Sequence, residues 1–188
     1  QDSPRPLARE KAFANMLVGL DRTTRLLGQL LDLARLDYTQ LPPCDLLDLP
    51  ALARQALLDA NLPCGEDRLK IVSTPQICRG HAGLISLLLR NLLDNAQGYA
   101  GRQAIITIEI DNRSLTVADN GPGVEPEVLA RLGERFYRPP GQQQSGAGLG
   151  VSIARRIAEL HGGRLTLANR SGGGFEASLV FPDVVDQP

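Results

Sequence analysis

Asp119-Asn120-Gly121-Pro122-Gly123 is the stretch that decides how this chain folds and what it holds. A carboxylate in front of a glycine turn can accept a hydrogen bond from an exocyclic amine such as that of adenine. A second glycine-rich stretch, Gly146-Ala147-Gly148-Leu149-Gly150, precedes a predicted helix from Val151 to His161. Backbone N–H groups at such a helix start, with the positive end of its dipole, attract phosphates. Together the two stretches predict a nucleotide site.

An asparagine pair adds a third element to this predicted site. Asn91 and Asn95 lie four residues apart on a predicted helix from His81 to Tyr99, so both side chains share one face. Amide oxygens suit a hard cation such as Mg²⁺, which also binds substrate phosphates. A single asparagine there would more often be an ordinary surface amide. The pair predicts Asn95 as the principal Mg²⁺ ligand and Asn91 as a contact to phosphate or metal-bound water.

Asp119 is expected at the end of a β-hairpin formed by Ala104–Ile110 and Ser114–Ala118. In isolation, Asp-Asn-Gly is often no more than a turn device. With the later glycine stretch present, we expect Asp119 to recognise adenine. We expect glycine at positions 121 and 123 because a side chain there would obstruct the approach of the base.

The order of these motifs resembles the cytoplasmic end of bacterial two-component sensor histidine kinases. Asn91–Ala96 is similar to that family's N box, Asp119–Gly123 to its first glycine box, Phe136–Arg138 to its F box and Gly146–Gly150 to its second glycine box. Gly133–Gly141 looks most like the branch that includes quorum-sensing and polymyxin-resistance sensors. The resemblance implies an α/β fold, the Bergerat-type ATP-binding two-layer sandwich of a mixed sheet covered by helices, preceded by one long heptad helix.

The resemblance also implies a function and a set of site residues. The family binds ATP with Mg²⁺, passes the γ-phosphoryl to a histidine and then to a response-regulator aspartate, and belongs to inner-membrane sensors. Arg138 joins the two asparagines as a catalytic candidate, and the polar stretch from Arg138 to Gly148 is expected to close over the triphosphate. For Phe136, a core position is an equal alternative. The implied nucleotide contacts are Asn91, Asn95, Tyr99, Asp119, Gly121, Gly123, Phe136, Gly146, Gly148, Leu149 and Gly150.

The first segment of the chain has a heptad pattern, with Leu30 and Leu33 expected to widen its apolar stripe. Such a stripe must pack on another helix, either from the domain or from a second chain. The resemblance implies residues 1–40 as the second helix of a homodimerising phosphotransfer hairpin, 41–47 as linker and first strand, and 48–188 as the catalytic domain. The stripe contains Phe13, Leu17, Leu20, Thr24, Leu27, Leu31, Ala34 and Tyr38.

The two histidines do not match the family's phosphoacceptor motif. His81 is expected at the start of one helix and His161 at the end of another, where a histidine interacts well with the helix terminus. The first hairpin helix, with its phosphoacceptor, is expected to be absent, so the chain should not phosphorylate itself. Response regulator and ATP or ADP are the implied partners.

Composition excludes several other classes of protein. A net charge of −1 argues against a general electrostatic contact with nucleic acid. No apolar run approaches the roughly 20 residues needed to span a bilayer. The three cysteines lack metal-ligand spacing and are expected to be reduced thiols.

One position departs from the family pattern. Gly98 precedes Tyr99, where many members place a Lys or Arg that reaches phosphate. Loss of that contact is expected to weaken nucleotide binding by about 1 kcal/mol or more, unless Arg102 or Arg138 compensates. An ATPase of the same fold, a non-catalytic nucleotide-binding module and an interaction module remain the alternatives.

Overall fold

The computed structural model describes residues 5–38, 40, 42–60, 69–73, 77–101, 103–111, 113–139 and 147–182. The helices are α1 (Arg5–Tyr38), α2 (Leu49–Asp59), α3 (Ala82–Tyr99), α4 (Pro126–Arg131) and α5 (Gly150–Leu160). The strands are β1 (Asp45–Asp48), β2 (Leu69–Ser73), β3 (Ile77–Gly80), β4 (Ile106–Ile110), β5 (Ser114–Asp119), β6 (Arg164–Asn169) and β7 (Phe175–Val180).

The strands form one large sheet and one small one. The five-stranded sheet has the order β2-β4-β5-β7-β6, in which β2 is parallel to β4 and every other pair is antiparallel. β1 and β3 pair antiparallel as a separate two-stranded sheet. The large sheet is therefore mixed, as expected, and the predicted hairpin is its centre, with Ile106 opposite Asp119.

The helices α2, α3 and α5 cover one face of the large sheet and pack on one another. The side chains of this layer are fully or almost fully buried, among them Leu88, Ile108, Leu115 and Ile153. The opposite face of the sheet carries polar side chains, among them Thr116 and Ser178, whose hydroxyl groups share a hydrogen bond of 2.7 Å. One covered face and one polar face define the expected two-layer α/β sandwich.

Helix boundaries follow local capping signals. The Asp48 side chain accepts from the Ala51 N–H at 2.9 Å and caps the start of α2. His81 caps α3 in the same way, because its Nδ1 accepts from the Leu84 N–H at 3.3 Å. At the end of α5, the buried His161 lies 2.8 Å from the Ile157 carbonyl oxygen through Nδ1. Both histidines therefore have the expected places at helix ends.

The long helix α1 has two opposite faces. The heptad stripe is open: Phe13, Leu17, Leu27 and Leu31 are each more than half exposed. Leu33 is 5% exposed, lies about half a turn away, and packs with Leu30 and Leu36 into the core, so the expectation that Leu30 and Leu33 widen the stripe is wrong. These exposed stripe residues therefore do not pack on the domain.

None of the helices in the described part of the chain combines the length and apolar character needed to cross a membrane.

Candidate nucleotide site

A cavity of about 360 Å³, here called the main cavity, opens between α3, β5 and the segment that follows β5. A smaller one of about 70 Å³, here called the side cavity, shares with it Asn95, Tyr99, Leu132, Pro139 and Val151. The two are thus adjoining parts of one cleft. The walls of the main cavity are mainly apolar, with Leu92, Ala96, Val117, Val124, Val128, Phe175 and Ala177 among them.

Asp119 lies at the floor of the main cavity and is 4% exposed. Its Oδ1 accepts from the Gly121 N–H at 2.8 Å and from the Phe175 N–H at 3.3 Å. Within the described residues no hydrogen bond reaches Oδ2. Two backbone donors therefore fix the carboxylate while one oxygen remains for a ligand in the cavity.

The glycines after Asp119 also have a role in the fold itself. A Cβ on Gly121 would lie 2.6 Å from the Ala100 Cα, and Gly123 has a φ of +75°, in the left-handed region. Gly121 therefore allows the turn to pack on the end of α3, and Gly123 allows the turn itself. Asn169 then holds this turn, since it accepts from the Val124 N–H at 2.8 Å and donates to the Val124 carbonyl at 2.7 Å.

The two asparagines converge on the start of α5. A Cβ on Gly150 would lie 3.2 Å from Asn91 Oδ1 and 3.4 Å from both terminal atoms of the Asn95 amide. Asn91 is oriented by donating to the Leu87 carbonyl at 2.9 Å. Asn95 Nδ2 is buried with no hydrogen-bond partner among the described residues. One polar atom is thus left for a ligand beside a helix N-terminus.

The second glycine stretch packs on the segment after α4. Gly148 has a φ of +71°, and a Cβ on it would lie 2.6 Å from the Tyr137 carbonyl oxygen. Its own carbonyl accepts from the Phe136 N–H at 3.1 Å. Leu149 is fully buried, and α5 begins at Gly150, one residue before the predicted start at Val151.

The remaining predicted residues have varied positions. Tyr99 borders both cavities. Phe136 is 61% exposed with a φ of 65°, so the core alternative is wrong. Phe136 and Arg138 border a separate, more open depression with α4 and do not line the cleft. Most of the polar stretch from Arg138 to Gly148, including Gly146, lies outside the described residues, and so does Arg102.

The helix α1 contributes side chains that the sequence analysis did not assign to the site. Gln29 donates to Asn91 Oδ1 at 3.5 Å, and Arg25 and Gln29 both border the side cavity. Asp94 lies there too; burial raises the pKa of its carboxyl, and the charges of Arg25 and Arg90 partly offset that shift. The i, i+4 spacing of Arg25 and Gln29 on the side opposite the heptad stripe was the available signal.

Comparison with known proteins agrees with this geometry. Residues 80–185 match the family of histidine kinase-, DNA gyrase B-, and HSP90-like ATPases. The chain belongs to this family, and it contains the ATP-binding catalytic domain of a sensor histidine kinase.

Particular relatives support the assignment. The sensor protein QseC of Salmonella typhimurium is 46% identical over 92% of this chain and 39% of its own length. The sensor kinase PmrB of Pseudomonas aeruginosa is 32% identical over 94% of this chain and 39% of its own. The solved cytoplasmic segment of histidine kinase QseC has a TM-score of 0.57 at 30% identity and covers 86% of this chain and 93% of that one. The chain thus spans less than half the length of the full-length QseC and PmrB relatives.

Proposed function

We propose that the chain binds ATP with Mg²⁺ and belongs to a longer sensor kinase that passes the γ-phosphoryl to a histidine and then to a response-regulator aspartate. The observation that carries the proposal is the arrangement of Asp119 at one part of the cleft and Asn91 and Asn95 beside Gly150 at the other. This arrangement matches a molecule with a flat aromatic amine at one end and phosphates at the other.

Adenine recognition is assigned to the main cavity. The free Oδ2 of Asp119 would accept a hydrogen bond from the exocyclic amine, and the apolar walls would contact the ring. Oδ1 is already held by two N–H groups, so the carboxylate needs no reorientation on binding. This preorganisation favours one orientation of the base.

Phosphate binding is assigned to the junction of α3 and α5. The start of α5 at Gly150 offers N–H groups to an anion, and Asn91 and Asn95 face the same point. The amide oxygens of the two asparagines are of the type that suits Mg²⁺, and the orphaned buried Nδ2 of Asn95 is a donor that a phosphate oxygen would satisfy. When bound, Mg²⁺ supplies neutralisation of phosphate charge. The chain's residues position the triphosphate toward an acceptor.

The wider assembly is part of the same proposal. We assign residues 1–40 to the second helix of a phosphotransfer hairpin, 41–47 to a linker and first strand, and 48–188 to the catalytic domain, on the cytoplasmic side of the inner membrane. The open heptad stripe of α1 supports homodimerisation through that helix. Arg138 borders the depression beside α4, which supports contact with the acceptor helix over contact with phosphate in this arrangement.

Calorimetric titration with ATP and ADP, with and without Mg²⁺, tests the proposal. We expect a Kd in the micromolar to sub-millimolar range, on the order of −5 to −8 kcal/mol. Asp119→Asn should weaken binding of both nucleotides, and Asn95→Ala should remove the Mg²⁺ dependence. Thr116→Ala, on the polar face of the sheet, is the control and should bind normally. Absence of nucleotide binding by folded wild-type chain would exclude the proposal.

The kinase activity needs a second measurement, because phosphate release alone would indicate an ATPase. Incubation of the chain with ATP, Mg²⁺ and a separately purified phosphotransfer domain from the QseC relative should label that domain with acid-labile phosphate. Labelling should be lost with Asn95→Ala. Release of inorganic phosphate without labelling would favour the ATPase.

A further inference from the structure

The cleft has little positive charge for a ligand as acidic as ATP. The triphosphate carries about four negative charges at neutral pH, and the residues around the two cavities include Asp94, Asp119 and Glu125. Among the described residues that line the two cavities, Arg25 is the only Lys or Arg. The segment 140–146 contains neither residue type, and position 98 is glycine. Arg25 is therefore the one cationic side chain that the described lining of the cleft offers to the phosphates.

Arg25 has a suitable position on α1. It borders the side cavity together with Asn95, Gly148 and Gly150, the residues at the proposed phosphate end. Its side chain is exposed and makes no hydrogen bond or ion pair with any other residue that the structure describes. The guanidinium is thus available to a ligand in this cavity.

The packing of α1 fixes where Arg25 lies. Arg25, Gln29 and Leu33 follow each other at intervals of four residues, so they form one row along the helix. Leu33 is buried in the core and Gln29 contacts Asn91, which sets the rotation and height of the row against α3. Arg25 is one turn beyond Gln29, at the side cavity.

We infer that Arg25 is a phosphate-binding residue that α1 contributes to the nucleotide site, where its guanidinium contacts the β- or γ-phosphate of ATP. The inference rests on the proposed function, because it places a contact in the same site. It also makes the docking of α1 and the binding of ATP mutually dependent. Each must strengthen the other by the same factor.

An alternative role for Arg25 is to neutralise Asp94, which borders the same cavity. Either role predicts weaker ATP binding and unchanged adenosine binding when Arg25 is removed, because an uncompensated Asp94 carboxylate also repels the phosphates. A phosphate contact predicts that Arg25→Gln weakens ATP binding by the same factor in the wild-type and Asp94→Asn backgrounds, whereas neutralisation predicts that the loss disappears in the Asp94→Asn background.

The test compares Arg25→Gln with Arg22→Gln in the full chain. Arg22 is exposed, lies one turn away on α1 and borders neither cavity, so its replacement removes the same charge without the contact. Calorimetry with ATP and Mg²⁺ should show roughly tenfold weaker binding for Arg25→Gln, the size of one charge-assisted hydrogen bond. The affinity of Arg22→Gln for ATP should equal that of wild type. Adenosine binding by Arg25→Gln, followed by NMR shifts, should also be unchanged.

Several outcomes would overturn the inference. Equal losses in Arg22→Gln and Arg25→Gln would mean a general charge effect, and equal losses for ATP and adenosine would mean a structural one. Equal ATP affinity of Asp94→Asn and Arg25→Gln/Asp94→Asn would assign Arg25 to the neutralisation of Asp94. If wild-type chain binds ATP in an Asp119-dependent way and Arg25→Gln has no effect, only this inference fails. If wild-type chain does not bind ATP, the proposed function fails with it.

Discussion

Arg135 donates a hydrogen bond of 2.7 Å to Asp37, joining the segment after α4 to the last turn of α1 across almost a hundred residues of sequence. Nearby, Arg156 of α5 donates to the Leu36 carbonyl at 3.2 Å, and Arg90 of α3 lies 3.8 Å from Asp32. Three elements of the domain therefore contact the final turns of α1 through polar groups, around the buried Leu33 and Leu36.

The Arg135–Asp37 pair should contribute little to stability, since both side chains are partly exposed to solvent. A double-mutant cycle with Arg135→Gln, Asp37→Asn and the double variant in urea unfolding should give a coupling energy below about 1 kcal/mol. The value should fall further at high salt. A coupling above about 2 kcal/mol would mean that this pair, and not the apolar contact, holds α1.

Leu36→Ala should release the end of α1 from the domain. Leu36 is 3% exposed in the core cluster, and loss of such a side chain removes about 2 kcal/mol or more. Hydrogen exchange of residues 29–38 should accelerate by roughly 30-fold. Leu31→Ala is the matched control, because Leu31 is 57% exposed on the opposite face. At concentrations where light scattering gives the monomer mass, equal exchange in both variants would contradict this docking.

Gly121→Ala should destabilise the domain by about 2 kcal/mol or more, because the new methyl group meets the Ala100 backbone at 2.6 Å. Urea denaturation monitored by circular dichroism measures the change. Gly172→Ala provides the comparison, since nothing lies within 4 Å of a Cβ at that position. Equal midpoints for the two variants would show that the turn can move away from α3.

His161 should make stability depend on pH. Its Nε2 accepts from the His81 N–H at 3.1 Å, a bond that only the neutral ring can make there. Burial lowers the pKa of His161, opposed by its bond to Ile157 and aided by the nearby His81. Because the folded pKa lies below the unfolded value of about 6.5, its contribution is present above pH 6.5 and is lost as pH falls through the folded pKa.

Urea unfolding from pH 7.5 to pH 5 measures this dependence. The free energy of unfolding should fall toward pH 5 more steeply for wild type than for His161→Gln. The difference between the two curves isolates His161 from other titrating groups. Parallel curves would mean that the His161 pKa is the same in the folded and unfolded states.

Local signals predicted most elements of the fold. The alternation on either side of Asp111 predicts the β4–β5 hairpin, and the glycines before α5 predict a helix start, because each signal acts within a few residues of chain. The structure has both elements at these places. The parallel pairing of β2 with β4 and the separate β1–β3 sheet were not predicted, because they join segments about thirty residues apart.

The candidate site divides in the same way. Asn91 and Asn95 lie beside Gly150, and Asp119 lines the main cavity together with Asn95, so the motifs named from the sequence lie around one cleft. The close approach of Gly121 to the Ala100 backbone, just after α3, was not predicted, because no sequence pattern reveals a contact between distant segments. Periodicity found one face of α1 but could not tell that the other, with Arg25 and Gln29, contacts the domain.

The two opposite faces of α1 have a mechanical consequence. With side chains about 5 Å from the helix axis, turning α1 by about 30° moves Arg25 and Gln29 sideways by roughly 2.6 Å. That displacement exceeds the tolerance of a hydrogen bond. A partner chain that rotates α1 through the open stripe would therefore change the contact of Gln29 with Asn91. The rotation angle of the helix would then determine whether Arg25 and Gln29 reach the proposed phosphate end of the cleft.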